Sequence, residues 1–154
     1  MRKSTKTFDQ LVLFDSNILI FAHDTSALFH NKAKALLTSA MDGELNMVLA
    51  QQNILEFYSV ITNPKRVNSV LPVKDALSLV NGYIGDDLFN FIYPLRTTLI
   101  RTIYFCNLFS IKKAEIFDAF LAATMLDNDV RTIYTDNEKH FTIFPEIKVV
   151  NPFK

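Results

Sequence analysis

The chain has 154 residues, of which 49% are hydrophobic, and it carries 16 basic and 16 acidic side chains. This length and apolar content predict one domain with a substantial core and exclude a disordered chain. A formal net charge of zero excludes nucleic-acid binding by a generally basic surface, so any such role needs a local basic patch, metal ions or a dimer.

The sequence shows no sign of export or membrane insertion. No apolar run has the length of a membrane span, and the N-terminus lacks the apolar stretch of a secretion signal. The single cysteine, Cys106, excludes an intrachain disulfide. We therefore expect a cytoplasmic protein with no membrane contact, in which residues 1–10 form a tail and residues 11–154 form one domain.

Short apolar runs alternate along the chain with longer segments of helical periodicity. The runs predict strands at 11–14, 47–50, 88–93, 131–134 and 147–150. The periodic segments predict helices at 17–24, 30–41, 52–62, 73–84, 94–108 and 116–127. Ser16 is the predicted cap of the first helix, and Gly43 is expected at the end of the second. This alternation favours a parallel sheet covered on both faces, with ligands at the carboxyl ends of its strands.

Four carboxylates stand in apolar surroundings. Asp15 follows the first strand directly, Glu56 lies in the helical run NILEFYSVI, Asp118 lies in IFDAFLAATML, and Asp136 follows the strand RTIY. A buried carboxylate is costly unless it is paired, protonated or bound to metal. One alternative is that Asp15 only caps the helix after it. Four such residues in comparable places favour a common site for Mg²⁺ or Mn²⁺, which prefer oxygen ligands.

The chain resembles the PIN-domain nucleases, and more narrowly the VapC-type toxins of type II toxin–antitoxin systems. The resemblance covers residues 11–152 and rests on segments in a fixed order: FDSNILIFAHD, FHNKAKALL, LEFYSVITNPKR, IFDAFLAATML, and TDNEKHF with FPEIKVVNP. It implies a PIN-like α/β/α sandwich of three layers around a mainly parallel sheet. It also implies a metal-dependent endoribonuclease that hydrolyses RNA phosphodiester bonds.

The resemblance assigns roles to particular residues. Asp15, Glu56 and Asp118 match the carboxylates that hold one or two Mg²⁺ or Mn²⁺ ions and support catalysis. The family's fourth site falls in Thr135-Asp136-Asn137. Asn137 stands where an acid is often found and is a candidate catalytic residue. Asp136 stands one position early and is a candidate metal ligand, so the identity of the fourth residue stays open.

Several other polar residues are candidate RNA contacts. They lie next to the carboxylates or form short basic pairs, which suit phosphate binding; they are Asn17, Lys65, Arg66, Lys112, Lys113, Thr135 and His140. For the basic pairs the alternative is ordinary solvated charge, for His140 it is a surface position, and for Asn17 it is a bond to its own backbone. Glu115 is either a second acid behind Asp118 or a solvated residue of the first helical turn.

The resemblance also implies partners, because relatives commonly form homodimers and are held inactive by an antitoxin peptide along the acidic groove. Aromatic residues are expected in the core or at such surfaces: Phe57, Tyr58, Phe117 and Phe120, with Tyr104, Phe105 and Phe109. Two alternatives are a PIN nuclease of RNA processing without a toxin role and a catalytically silent PIN module. A phosphatase of the haloacid dehalogenase type is disfavoured, because it needs Asp at position 17, which is Asn.

Overall fold

The computed structural model describes residues 10–85, 87 and 89–154. The predicted tail therefore lies outside the described residues except for Gln10, as does the part of the third predicted strand at 88. All five predicted strands are present, within one or two residues of their predicted bounds: β1 (Val12–Phe14), β2 (Met47–Ala50), β3 (Asn90–Ile92), β4 (Thr132–Tyr134) and β5 (Lys148–Val150).

The five strands form one parallel sheet in the order β3-β2-β1-β4-β5. Strand β1 is central, and its Leu13 lies beside Val48 of β2 and Ile133 of β4. The chain adds β2 and β3 on one side of β1 and then β4 and β5 on the other. This reversal of direction opens a crevice beyond the carboxyl ends of β1 and β4, where ligands bind in open α/β sheets.

Helices cover both faces of the sheet. In the described residues they are α1 (Ser16–His23), α2 (His30–Met41), α3 (Gln51–Ile61), α4 (Val73–Gly85), α5 (Thr98–Phe109), α6 (Glu115–Asp127) and α7 (Glu138–Phe141). Helix α7 is the short helical turn that one interpretation of His140 expected. None of these helices has both the length and the apolar character needed to cross a membrane.

Two cores separate the layers, because successive strand residues point to opposite faces. Val12 and Phe14 of β1 pack with the apolar sides of α1 to α4. Leu13 of β1, with Val48 and Ile133, packs against α5, α6 and α7. A parallel sheet buried on both faces explains why its strands read as continuous apolar runs. The predicted three-layer α/β/α sandwich is confirmed, with a wholly parallel sheet.

Some local predictions were wrong. The cap of α1 is Asp15, whose Oδ1 accepts the Ser16 backbone N–H at 2.8 Å, and Ser16 is already the first helical residue. Helix α5 begins at Thr98 rather than 94, because a turn precedes it in which the Leu95 N–H donates to Thr98 Oγ1. Gly43 has a φ of +76° and ends α2 as predicted.

Candidate functional site

A pocket of about 620 Å³ lies beyond the carboxyl ends of β1 and β4. It brings together seven of the residues singled out in the sequence: Asp15, Asn17, Glu56, Arg66, Asp118, Asn137 and His140. The structure does not bring the others into its lining: Lys65, Lys112, Lys113, Thr135 and Asp136. The three helical or strand-end carboxylates therefore share one pocket although they are far apart in sequence.

Asp15 is the deepest carboxylate of the pocket and is almost fully buried. Its Oδ1 accepts the Ser16 N–H, so it does cap α1. Its Oδ2 accepts the Thr135 hydroxyl at 2.7 Å and the Asn17 amide at 3.2 Å. Burial raises the pKa of Asp15 to about 6, the hydrogen bond from Thr135 opposes this, and the charges of Glu56 and Asp118 add to it. Capping is thus only part of its role.

Thr135, which follows β4, and Asn17, which lies in α1, both donate to Asp15. The Thr135 side chain is fully buried, and its hydroxyl also accepts from the Asn17 amide at 3.1 Å and from the Asn137 N–H at 3.0 Å. Thr135 therefore positions Asp15 and is not exposed for the predicted RNA contact. Asn17 bonds across to β4, not to its own backbone, and its Oδ1 accepts the Asp136 N–H at 3.4 Å.

Glu56 projects from α3 and is held at both carboxylate oxygens. Oε2 accepts the Ser16 hydroxyl at 2.7 Å, and Oε1 accepts the Gln52 amide at 3.3 Å. The Ser16 hydroxyl lies 3.5 Å from Asp15 Oδ1, so its one proton serves the shorter bond to Glu56. Ser16 thus links the first helix to the carboxylate of the third.

Asp118 lies in the first turn of α6 and contacts α7. Its Oδ2 lies 3.0 Å from His140 Nδ1. Desolvation raises the pKa of Asp118, the contact with His140 lowers it, and Glu56 and Glu115 raise it further. Glu115 is exposed and accepts the Lys112 N–H at 3.4 Å, which fits a solvated first-turn residue, and its charge also acts on Asp118.

Asn137, not Asp136, lines the pocket at the end of β4. The Asp136 carboxylate instead accepts the Asn151 side-chain amide at 3.3 Å, on the side of the C-terminal residues. The backbone explains the choice: the Asn137 N–H is tied to Thr135 Oγ1, which turns the chain after β4. The structure therefore separates Asp136 from the three carboxylates it was predicted to join.

Of the basic residues predicted to contact RNA, some line the pocket of the carboxylates and others lie outside it. Arg66 lines the pocket, whereas its neighbour Lys65 does not. Lys112 and Lys113 line a hollow of about 320 Å³ that meets the pocket at Ala114. Among the predicted lysines and arginines, Arg66 is thus the one placed beside the carboxylates.

The donor set of the pocket fits a hard divalent cation. Asp15, Glu56 and Asp118 offer carboxylate oxygens, and their mutual repulsion contributes to the raised pKa of Asp15. Within the described residues, no three His, Cys, Asp or Glu side chains are grouped closely enough to hold a metal ion. Mg²⁺ keeps several waters and binds through one or two carboxylates, so this arrangement suits an open, hydrated ion and not a closed cage.

Known structures share this fold at low sequence identity. VapC20 of Mycobacterium tuberculosis, a sarcin–ricin loop cleaving toxin, is 10% identical, with a TM-score of 0.65 over 86% of this chain and 95% of that one. A VapBC-1 structure from nontypeable Haemophilus influenzae is 14% identical, with a TM-score of 0.64 over 94% of this chain and 100% of that one. The chain has the PIN-like fold of the VapC toxins.

A further structural neighbour extends the similarity. A chain from a toxin–antitoxin complex of Klebsiella pneumoniae is 21% identical, with a TM-score of 0.58 over 93% of this chain and 98% of that one. No protein-family model and no curated protein matches the sequence. The similarity of the folds therefore supports the resemblance to VapC-type toxins that the sequence segments indicated.

Three polar residues of the site were not predicted in their observed roles. Ser59 lines the pocket. Ser16, predicted as a helix cap, donates to Glu56, and so does Gln52, which stands one helical turn before Glu56 at a spacing at which side chains on a helix meet. That spacing was a usable signal for Gln52, whereas nothing in the sequence pairs Ser16 with a residue forty positions away.

We predict that Asp15 makes the fold less stable as the pH rises from about 4 through about 6. The folded pKa of about 6 exceeds the ordinary 3.8, so the unfolded chain loses its proton first and the free energy of unfolding falls. The full effect is about 3 kcal/mol, from roughly 1.4 kcal/mol per pKa unit. Urea unfolding in EDTA across this range measures it.

Asp15→Asn should reduce this fall to the part caused by the raised pKa of Asp118. Asp75→Asn, which changes an exposed carboxylate on α4, should leave the fall as in the wild type. An Asp15→Asn protein with the wild-type pH dependence would contradict the assignment.

Proposed function

We propose that the chain is a metal-dependent endoribonuclease and the toxin of a toxin–antitoxin pair. One observation carries the proposal: Asp15, Glu56 and Asp118 line one pocket at the carboxyl edge of the sheet. The fold supports it, because VapC20, which shares this fold, is a toxin that cleaves the sarcin–ricin loop. The proposed substrate class is RNA, and the bond hydrolysed is the phosphodiester.

The proposed cofactor is Mg²⁺ or Mn²⁺, held by Asp15, Glu56 and Asp118, partly through water. Such an ion would activate water for attack and offset negative charge at phosphorus. The chain's own residues orient the ligands: Thr135 Oγ1 donates to Asp15, and Ser16 Oγ donates to Glu56. His140 Nδ1 lies against Asp118 and fixes that carboxylate. Asn137 adds an uncharged polar group to the wall of the pocket.

We propose that a cognate antitoxin covers this pocket. The structural neighbours from Haemophilus influenzae and Klebsiella pneumoniae belong to VapBC and toxin–antitoxin assemblies, which supports a partner of this kind. The proposed RNA substrate and partner act in the cytoplasm. A PIN nuclease of RNA processing would use the same site residues, and the presence of an antitoxin distinguishes the toxin.

We further propose a homodimer formed through α5. Helix α5 exposes more than half of four successive apolar side chains: Leu99, Ile100, Ile103 and Tyr104. Arg101 is the one charged residue of α5, and its Nε is paired with Asp127 at 2.7 Å. An apolar face of this size without an unpaired charge suits a homodimer interface. In a twofold dimer the same face of each copy packs against the other, so two apolar faces meet.

The face continues into an apolar groove of about 420 Å³ between α3, α5 and α6, which Leu55 and Phe117 share with the site pocket. Of the aromatic residues expected at a partner surface, Tyr104 and Phe117 are exposed, whereas Phe105 belongs to the core.

A catalytically silent PIN module is the second candidate function. Asn137 stands where relatives often have an acid, and the carboxylates of the described chain form no compact group of three that could hold a metal ion. Such a module would bind its partner without cleaving RNA. Metal binding and cleavage separate it from the nuclease.

Purified protein is expected to cut a total-RNA pool into discrete products with Mn²⁺ or Mg²⁺ and to be inactive in excess EDTA, because the acidic pocket repels phosphate without a cation. Asp15→Asn and Asp118→Asn each remove one negative ligand and should lower the cleavage rate by at least about 100-fold. Sequencing of the product ends measures the cut sites.

Glu146→Gln, which changes an exposed carboxylate paired with Arg131, is the control and should cleave like the wild type. Cleavage that survives exhaustive chelation would refute the metal dependence. If neither cleavage nor Mn²⁺ binding by calorimetry is seen, the silent module is the better description.

Arg66→Ala is expected to weaken RNA binding, since Arg66 lines the same pocket as the carboxylates and its guanidinium suits a phosphate there. Lys65→Ala is the matched change one residue away, outside the pocket, and should have a smaller effect. Fluorescence anisotropy with a short RNA and Ca²⁺, at several salt concentrations, measures both affinities and the number of phosphate contacts. If both variants lose the same RNA affinity, Arg66 has no special role and the loop carrying both residues contacts the RNA as a whole.

Ile103→Glu is expected to disperse the proposed dimer, because it puts an unpaired charge at the centre of the apolar α5 face. Light scattering should give the mass of two chains for the wild type and of one for the variant. Ile84→Glu, an equally exposed change on α4, is the control and should stay dimeric. A monomeric wild type at high micromolar concentration would contradict the dimer.

A further inference from the structure

Gln52 connects the two helices that carry Glu56 and Asp118. It lies in the first turn of α3, and its side-chain nitrogen donates to Glu56 Oε1 at 3.3 Å and to the backbone carbonyl of Phe117 at 3.0 Å. Phe117 is the residue before Asp118 in α6. One amide group therefore spans from one carboxylate to the backbone that carries the other.

The orientation of this amide follows from its partners. A carboxylate and a carbonyl both accept, so the NH₂ end must face them, and its two hydrogens provide one bond for each. The Gln52 Oε1 atom is then left in a buried position, where it has no hydrogen-bond partner among the described residues. A buried acceptor without a partner costs free energy. The Gln52 side chain therefore makes hydrogen bonds to Glu56 and to α6 while its own oxygen remains unbonded.

The other contacts of the two carboxylates do not connect them to each other. Ser16 ties Glu56 to the start of α1, and His140 ties Asp118 to α7. Neither bond sets the distance between α3 and α6, the helices on either side of the pocket. Within the described residues, Gln52 is the side chain whose hydrogen bonds reach both of these helices.

We propose that Gln52 is a positioning residue that fixes the separation of the Glu56 and Asp118 carboxylates by bridging α3 and α6. The proposal rests on the proposed nuclease function, because this separation decides how the two carboxylates share a cation. Residues that hydrogen-bond to metal ligands usually affect metal affinity or activity by 10- to 100-fold. Gln52 is uncharged and would act on the cation only through the carboxylates that it positions.

The test compares Gln52→Met with Gln51→Met. Met matches the volume of Gln and cannot donate, so Gln52→Met removes both bonds and fills the same space. Gln51 lines the same apolar groove and has no hydrogen bond to Glu56 or Phe117, which makes Gln51→Met the matched control. Gln52→Glu is a second variant of similar shape, which puts an acceptor where the donor stood.

Two quantities are measured. The first is the affinity for Mn²⁺ alone, and the second is kcat and KM for cleavage of an RNA with a mapped cut site. We expect Gln52→Met to weaken Mn²⁺ binding and to lower kcat, each by about 10- to 100-fold, while KM for RNA is unchanged. Gln52→Glu, whose added carboxylate can itself attract Mn²⁺, should lower kcat without the loss of Mn²⁺ affinity. Gln51→Met should match the wild type in both. A wild-type kcat and Mn²⁺ affinity in Gln52→Met, or equal losses in Gln51→Met, would overturn the proposal.

A double-mutant cycle separates the failure of this inference from that of the proposed function. Gln52→Met and Glu56→Gln are combined, and urea unfolding in EDTA gives the coupling without metal or RNA. Non-additive effects support the Gln52–Glu56 half of the bridge, and additive effects overturn the proposal, because the bridge needs that bond. If the wild type neither binds Mn²⁺ nor cleaves RNA, the nuclease proposal fails and the catalytic role of Gln52 fails with it, even where the cycle shows the bond.

Discussion

The carboxylate of Asp15 at the end of the central strand is the constraint on which the rest of the site depends. It is almost fully buried, and three donors converge on it: the Ser16 N–H, the Asn17 amide and the Thr135 hydroxyl. These bonds come from both sides of the β1–β4 junction. They do not fully offset desolvation, so the pKa stays raised to about 6. The chain therefore holds a charge that its own donors only partly stabilise.

The order of the strands explains why this charge can be held at all. Because the chain reverses direction at β1, the ends of β1 and β4 lie side by side and open a crevice between them. Thr135 follows β4 as Asp15 follows β1, and the two meet at 2.7 Å. The same crevice admits α3 and the first turn of α6 from opposite faces of the sheet. Glu56 and Asp118 thus reach one pocket from the two separate helical layers.

The sequence predicted the parts of this arrangement that depend on hydrophobic pattern. All five strands and the site carboxylates Asp15, Glu56 and Asp118 could be located, because a charge inside an apolar run is conspicuous. Tertiary packing decided what the pattern left open. On α4, Ala76, Val80 and Tyr83 are buried, whereas Val73, Leu77 and Ile84, which repeat at helical spacing, are exposed. An amphipathic pattern could not show which apolar stripe would meet the core.

The polar residues that orient the carboxylates were the hardest to predict. Ser16, Gln52 and Thr135 are short or uncharged residues of kinds found throughout any chain, and their roles come from partners distant in sequence. Asp136 shows the reverse problem: it has the right chemistry, but the hydrogen bond from the Asn137 N–H to Thr135 turns the backbone so that Asn137 lines the pocket. Residue type identifies candidates, and backbone hydrogen bonding selects among them.

The electrostatics of the pocket connect folding to the proposed activity. Desolvation, and then repulsion from Glu56 and Asp118, raise the pKa of Asp15, so burying this carboxylate beside two others costs free energy. A cation bound to the folded state alone would relieve that repulsion and stabilise the fold by mass action. The nuclease and the silent module then differ in how this cost is met. In the first a metal ion offsets it, whereas in the second it must be met by hydrogen bonds such as those from Ser16 and Gln52, or by a basic group supplied by the partner.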